Sequence, residues 1–260
     1  MNKTIKKLSV TDLYLKSCLP NASEWETKKI KNDWVNKERA AEGLYNDFVK
    51  RVGSPVNKKV LEIGFGNGLQ VVVFAKNGAL MSGVEVESVL YTIASENISE
   101  RKLTSDLRLY DGTIMPFEND YFDYIYTTSV FEHVSDLTTM LNEIYRVLKP
   151  GGKVYISFPN RLWPKETHTG IWFANYLPLP VVRFLFKIFK RSSIEDWNLH
   201  FLTFFSVIKR IRKNNIPLIV VYELYSQNVF KRILKKFFSV FGIHHSAFLR
   251  TVMIILKKDS

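Results

Sequence analysis

The densest chemical signal in the chain is Val60-Leu61-Glu62-Ile63-Gly64-Phe65-Gly66-Asn67-Gly68, an apolar run that breaks into three glycines at alternate positions. Glycine there lets a ligand approach the backbone where a side chain would block it, and a helix starting just beyond offers amides to a polar group. Two carboxylates extend the pattern. Glu85 stands 21 positions after Gly64, matching the acidic residue about 20 positions on that accepts ribose hydroxyls in nucleotide sites. Asp111, followed by Gly112, can accept a hydrogen bond from an adenine amino group. Three of the five histidines, His133, His168 and His200, are candidate bases for removing a proton from a nucleophile.

Hydrophobic periodicity supplies the elements that must hold these residues. Residues 59–63, 80–86, 107–110, 122–127 and 153–158 read as strands. Between them, residues 69–76 and 88 to about 102 read as helices. A third helix carries Leu137, Met140, Leu141, Ile144 and Leu148 at three- and four-residue spacing. Asp136 or Ser135 caps its start, and Pro150-Gly151-Gly152 ends it. Strands alternating with helices predict an α/β fold, a doubly wound Rossmann-like parallel sheet covered on both faces. The glycine turn, Glu85 and Asp111 then all fall at carboxyl ends of strands, where open sheets of this kind bind ligands. After Pro159 the rhythm breaks, to return as a helix at 204–214 and strands at 218–224 and 250–256, with an insertion at 225–248. The first 45 residues read as helical and polar, with Trp25 and Trp34 as apolar anchors.

Composition narrows the class. The 260 residues are 46% hydrophobic and 24% charged, a globular balance that suits one large domain. One cysteine, Cys18, makes neither an internal disulfide nor a cysteine-based zinc cluster. The basic start lacks the apolar stretch and cleavage site of a signal peptide, and no uncharged run reaches the ~18 residues of a membrane span. The expectation is a cytoplasmic protein. Its net charge of +12 is unevenly placed: residues 161–260 hold 17 Lys and Arg against 5 Asp and Glu, whereas residues 1–160 are balanced. Such asymmetry points to an anionic partner.

NAD and S-adenosylmethionine both present ribose and adenine, so spacing must separate them. The dinucleotide fingerprint places its third glycine at the position held here by Leu69. With Gly83-Val84-Glu85, Asp111 through Pro116-Phe117, Tyr121-Phe122-Asp123, Phe131-Glu132-His133-Val134 and Leu148-Lys149-Pro150-Gly151-Gly152, the chain resembles the class I S-adenosylmethionine-dependent methyltransferases, in the group containing quinone and small-molecule O-methyltransferases. The resemblance covers about residues 55–160. It implies a seven-stranded sheet with an antiparallel last strand, a core at 46–160, a substrate cap at 161–200 and sheet completion at 201–260. It also implies that Glu62, Gly64, Phe65 and Gly66 hold the methionine part, Glu85 the ribose, Val86 the adenine face, and Asp111 with Gly112 the adenine edge. The backbone near Thr128 would reach the cofactor's amino group. Some quinone O-methyltransferases carry Glu-x-x-Glu-His as a metal site in this region; Ser129 replaces the first carboxylate, so no metal is expected.

The cap opens on Asn160-Arg161 and an His168-Thr169-Gly170 segment that resembles methyltransferases associated with bacterial surface-glycan assembly. Two later stretches, 181–191 and 229–241, mix phenylalanines with Lys and Arg at helical spacing. A helix so divided lies in a membrane interface or packs its apolar stripe on the body of the protein. The sequence thus predicts methyl transfer, at oxygen, to a small-molecule or lipid-linked acceptor, with an anionic membrane surface as a partner. An RNA methyltransferase using the basic half on phosphates is the alternative, weakened by the absence of a recognisable RNA-binding module.

Overall fold

The computed structural model describes residues 10–196, 198–222 and 229–259. Three helices come first: α1 (Val10–Cys18), α2 (Glu24–Val35) and α3 (Lys37–Arg51). The alternating region follows as β1 (Lys59–Ile63), α4 (Leu69–Lys76), β2 (Leu80–Glu85), α5 (Ser88–Glu100), β3 (Asp106–Leu109), β4 (Phe122–Thr128), α6 (Leu137–Val147) and β5 (Leu148–Pro159). The remainder is α7 (Leu179–Ile188), α8 (Phe204–Lys213), β6 (Leu218–Val221), α9 (Val229–Val240) and β7 (Thr251–Lys258).

One seven-stranded sheet runs in the order β3-β2-β1-β4-β5-β7-β6. Strands β3 to β5 pair in parallel, and β7 lies antiparallel between β5 and β6. Crossover helices cover both faces, which is why β1 and β2 are buried along almost their whole length. On one face Leu61, Ile63, Ile125 and Ile156 pack with the α6 stripe Leu137, Met140, Leu141, Ile144 and Val147. On the other, Phe48 of α3 and Phe74 of α4 close on Tyr126, with Phe74 stacked on Tyr126 at 4.5 Å between ring centroids. The reversal of strand order at β1 opens a crevice between the loops after β1 and β4, the switch point at which such sheets take ligands.

The expected α/β fold and antiparallel last strand are present. Two details differ. Pro150-Gly151-Gly152 lies inside β5, where the pairing slips between Phe122 and Tyr124; α6 has already ended at Val147. Asp136 is its cap, accepting from the Thr138 and Thr139 amides. The N-terminal helices are anchored by Leu15, Leu19 and Ile30, while Trp25 is partly exposed and lies against Gly170 and Arg191 of the cap. Finally, residues 223–228 of the 225–248 insertion lie outside the described residues, and α9 is its helical part.

Candidate active site

The glycine loop runs from β1 into α4. Gly64 and Gly66 have φ of 71° and 54°, a left-handed backbone that favours glycine. A side chain at Gly64 would overlap Val130, so the loop is pressed against the turn that follows β4. A Cβ at Gly66 would stand 3.5 Å from Nζ of Lys37. Glu85 ends β2 and is buried; it accepts from the Gly66 amide at 2.9 Å through one oxygen and from the Val86 amide at 2.8 Å through the other. Half-exposed Val86 faces the Gly112 turn, where a Cβ would lie 3.6 Å from its methyl group. Asp111 accepts from the Thr113 amide and hydroxyl, bonds that hold its carboxyl below the usual range. Thr128 closes β4, its hydroxyl 3.3 Å from the Gln70 side chain. The structure therefore brings Gly64, Gly66, Glu85, Val86, Asp111, Gly112 and Thr128 to the carboxyl ends of neighbouring strands.

Glu62 and Phe65, expected with the glycines to hold the methionine part, are both buried. Glu62 is buried in β1 and accepts from the Tyr126 hydroxyl at 2.8 Å. Burial pushes its carboxyl up to about 8, against the opposing pull of Tyr126 and Lys37. The Phe65 ring is turned into the core, 6.4 Å from Tyr91 and closing on Gly83, because the loop's backbone twist sends that side chain inward. Both side chains pack beneath the loop and help to shape it.

The N-terminal helices add groups that no local pattern announced. Lys37, the first residue of α3, has its ammonium enclosed, although the residue as a whole is only partly buried. Burial lowers its pKa, while Glu62 and Glu85 pull it back up. Tyr14 and Cys18 of α1 sit near Glu85 and Glu87; burial first, then Cys18 and those carboxylates, push the phenol up to about 12, and burial followed by the carboxylates pushes the thiol up to about 11. A lysine 29 positions before Gly66 has no motif to mark it, since only the packing of α3 brings it to the loop.

A second cluster lies beyond the loop. Glu132 sits in the short 3-10 turn Phe131–His133; it is buried and neither carboxylate oxygen has a hydrogen-bond partner. Burial pushes its carboxyl up to about 7. The His133 and His168 rings meet edge to face with centroids 5.3 Å apart. His168 Nδ1 is 2.9 Å from Glu166 Oε1. Burial alone would raise Glu166, but His168 and Thr169 outweigh it and hold the carboxyl down at about 2. His200 donates its amide to the Glu132 carbonyl at 2.6 Å and lines the same narrow cleft with Arg161, Asn175 and Phe201. All three sequence-predicted histidines are thus brought together. Glu132, His133 and His168 each offer a ligand atom within 4.8 Å of the others, a donor set able to hold a divalent cation. The expected absence of metal rested on Ser129; the cap supplies a third donor in its place, which removes that ground.

Comparison with known proteins sets this geometry in context. Residues 61–156 match a family model described as a methyltransferase domain. A ubiquinone biosynthesis O-methyltransferase of Coxiella burnetii (strain RSA 493 / Nine Mile phase I) is 33% identical over 124 residues, covering 46% of this chain and 53% of the relative. One of the same description from Pseudomonas entomophila (strain L48) is 31% identical over 169 residues, 62% of this chain and 72% of the relative. The chain spans about half the length of the first of these curated relatives. Among solved structures, a protein of Pyrococcus horikoshii OT3 superposes with a TM-score of 0.59 at 16% identity, over 95% of this chain and 98% of that one. Phosphoethanolamine N-methyltransferase 2 of Haemonchus contortus, solved with S-adenosyl-L-methionine, gives 0.59 at 17% identity over 98% and 61%. At these identities the structural likeness establishes the fold.

Proposed function

Because the chain belongs to the S-adenosylmethionine-dependent methyltransferases, we propose that it methylates an oxygen of a small-molecule or lipid-linked acceptor, with His168 as general base. Bound S-adenosylmethionine supplies an activated methyl group and needs no covalent help from the protein. The residues present fit that cofactor: Gly66 leaves the loop bare of a side chain, and Lys37 Nζ lies 3.5 Å from where its Cβ would stand. The loop takes the methionine part, and Lys37 meets its carboxylate across Gly66. Glu85 takes the ribose hydroxyls, while Val86, Asp111 and Gly112 surround the adenine. Alignment of the acceptor oxygen behind the methyl group is the main demand on the site.

An alcohol or phenol must also lose its proton. The observation that carries the assignment is the Glu166–His168 contact at 2.9 Å, in a cleft that His200 also lines, with the His133 ring 5.3 Å from that of His168. Glu166 fixes the ring and stabilises the imidazolium formed when His168 takes the proton, as carboxylates do in His–carboxylate dyads. His133 and His200 orient the acceptor. The names of the curated relatives refer to ubiquinone biosynthesis, which favours a small-molecule acceptor over RNA.

Calorimetric titration with S-adenosylhomocysteine, followed by methyl-transfer assays on phenolic quinone precursors, tests the reading. His168→Gln and Glu166→Gln should each lower kcat by about 100-fold while leaving S-adenosylhomocysteine affinity unchanged. Unchanged kcat in both variants would remove His168 from the mechanism, and no cofactor binding by the native chain would remove the enzyme reading altogether.

A further inference from the structure

The α9 stripe is not core. Phe230, Ile233, Phe237 and Phe241 are 72%, 61%, 56% and 64% exposed, and Leu234 and Val240 are exposed with them. The helix is held to the body through Phe238, whose ring lies 5.4 Å from Phe248. Phe248 and Leu249, just before β7, are themselves half exposed. An ordinary amphipathic helix turns its apolar face to the core; this one turns it outward. Among the described residues, no helix is long and apolar enough to cross a membrane.

Beside the end of α9 lies a groove of about 580 Å³, lined by Phe204, Phe205, Ile208, Phe241, Gly242 and Ile243, with Lys209, Arg212 and Lys213 of α8 also along it. Cations thus stand beside an apolar floor. The local charge is one-sided: residues 204–256 hold nine Lys and Arg against a single Glu. Arg232 and Lys236 on α9 are exposed and continue the basic rim.

We propose that α9 and the α8 groove form a docking surface for an anionic phospholipid bilayer. The phenylalanines and Ile233 enter the boundary between headgroups and acyl chains, and the α8 and α9 cations lie among the lipid phosphates. Apolar burial and attraction to anionic headgroups act together in such a surface. Water would leave these rings unsatisfied, and RNA would engage the cations but not the exposed aliphatic face. The inference rests on the chemistry of this surface and is independent of which acceptor is methylated.

The test is flotation of the full chain with vesicles of phosphatidylcholine alone and of phosphatidylcholine mixed with phosphatidylglycerol. The expected result is binding to the mixed vesicles, weakened by salt through screening of the cations. The double variant Phe237→Ser/Phe241→Ser should lose at least about tenfold in partition. Arg212→Glu/Lys213→Glu should lose the preference for phosphatidylglycerol. Thermal melts confirm that both variants fold, without reference to cofactor binding. Three results would overturn the proposal: native protein that stays with the aqueous phase, a native dimer that Phe237→Ser/Phe241→Ser converts to monomer, or retention on homopolymeric RNA without vesicle binding.

Discussion

Nζ of Lys37 lies 3.5 Å from where a Cβ on Gly66 would stand, and the left-handed backbone at Gly66 is one that glycine adopts without strain. An enclosed ammonium carries a desolvation cost, visible in its lowered pKa, and a cofactor carboxylate would offset that cost by giving it a charged partner. Lys37→Met should therefore weaken S-adenosylhomocysteine binding by about tenfold or more, on the scale of a lost charge-assisted hydrogen bond. Lys37→Arg should recover part of the loss, and calorimetry reads both. At this scale legibility followed locality. Gly64, Gly66, Glu85 and Asp111 were legible because chain spacing and strand ends determine their positions. Lys37 and Tyr14 were not, because helix packing carries them to the loop.

At the scale of elements, one buried carboxylate joins the N-terminal helices to the cap, alongside an exposed Asn21–Asp196 bond. Glu26 of α2 is buried, accepts from the amide and hydroxyl of Ser23 in a capping box, and accepts again from the Ser192 amide and hydroxyl. Burial alone would raise its carboxyl, but these bonds prevail and hold it below the usual range. A depressed folded-state pKa means that the stabilisation is present above the unfolded carboxylate pKa and lost as pH falls through the folded one. Glu26→Ala should cost about 2 kcal/mol in urea unfolding, the scale of buried donors left unpaired, and should flatten the acid limb of stability. The sheet was readable from alternation and the C-terminal strands from renewed periodicity. The Glu26–Ser192 tie was not, since its partners are 166 positions apart and the capping box that contains Glu26 says nothing of Ser192.

For the whole molecule, acid stability is governed in part by His244, buried next to β7 and kept neutral. Burial, with His245 beside it, lowers its pKa to about 3; Nδ1 accepts from the Ser246 amide, and buried Nε2 has no partner. The unfolded chain takes up this proton at about 6.5, whereas the folded chain resists it. Stability must then fall as pH drops from about 6.5 toward 3, because the unfolded state binds more protons there. His244→Phe should lessen that fall, as read from melting temperature against pH. The tie made by Glu26 carries a different consequence, for the order in which parts of the molecule open. It links the helices beside Glu85 to the cap that bears His168, and Trp25 stacked under Arg191 reinforces the link. With the two tied, the N-terminal helices and the cap are expected to open together rather than in turn, so hydrogen exchange at the Ser192 amide should rise with that of α2 and not independently of it.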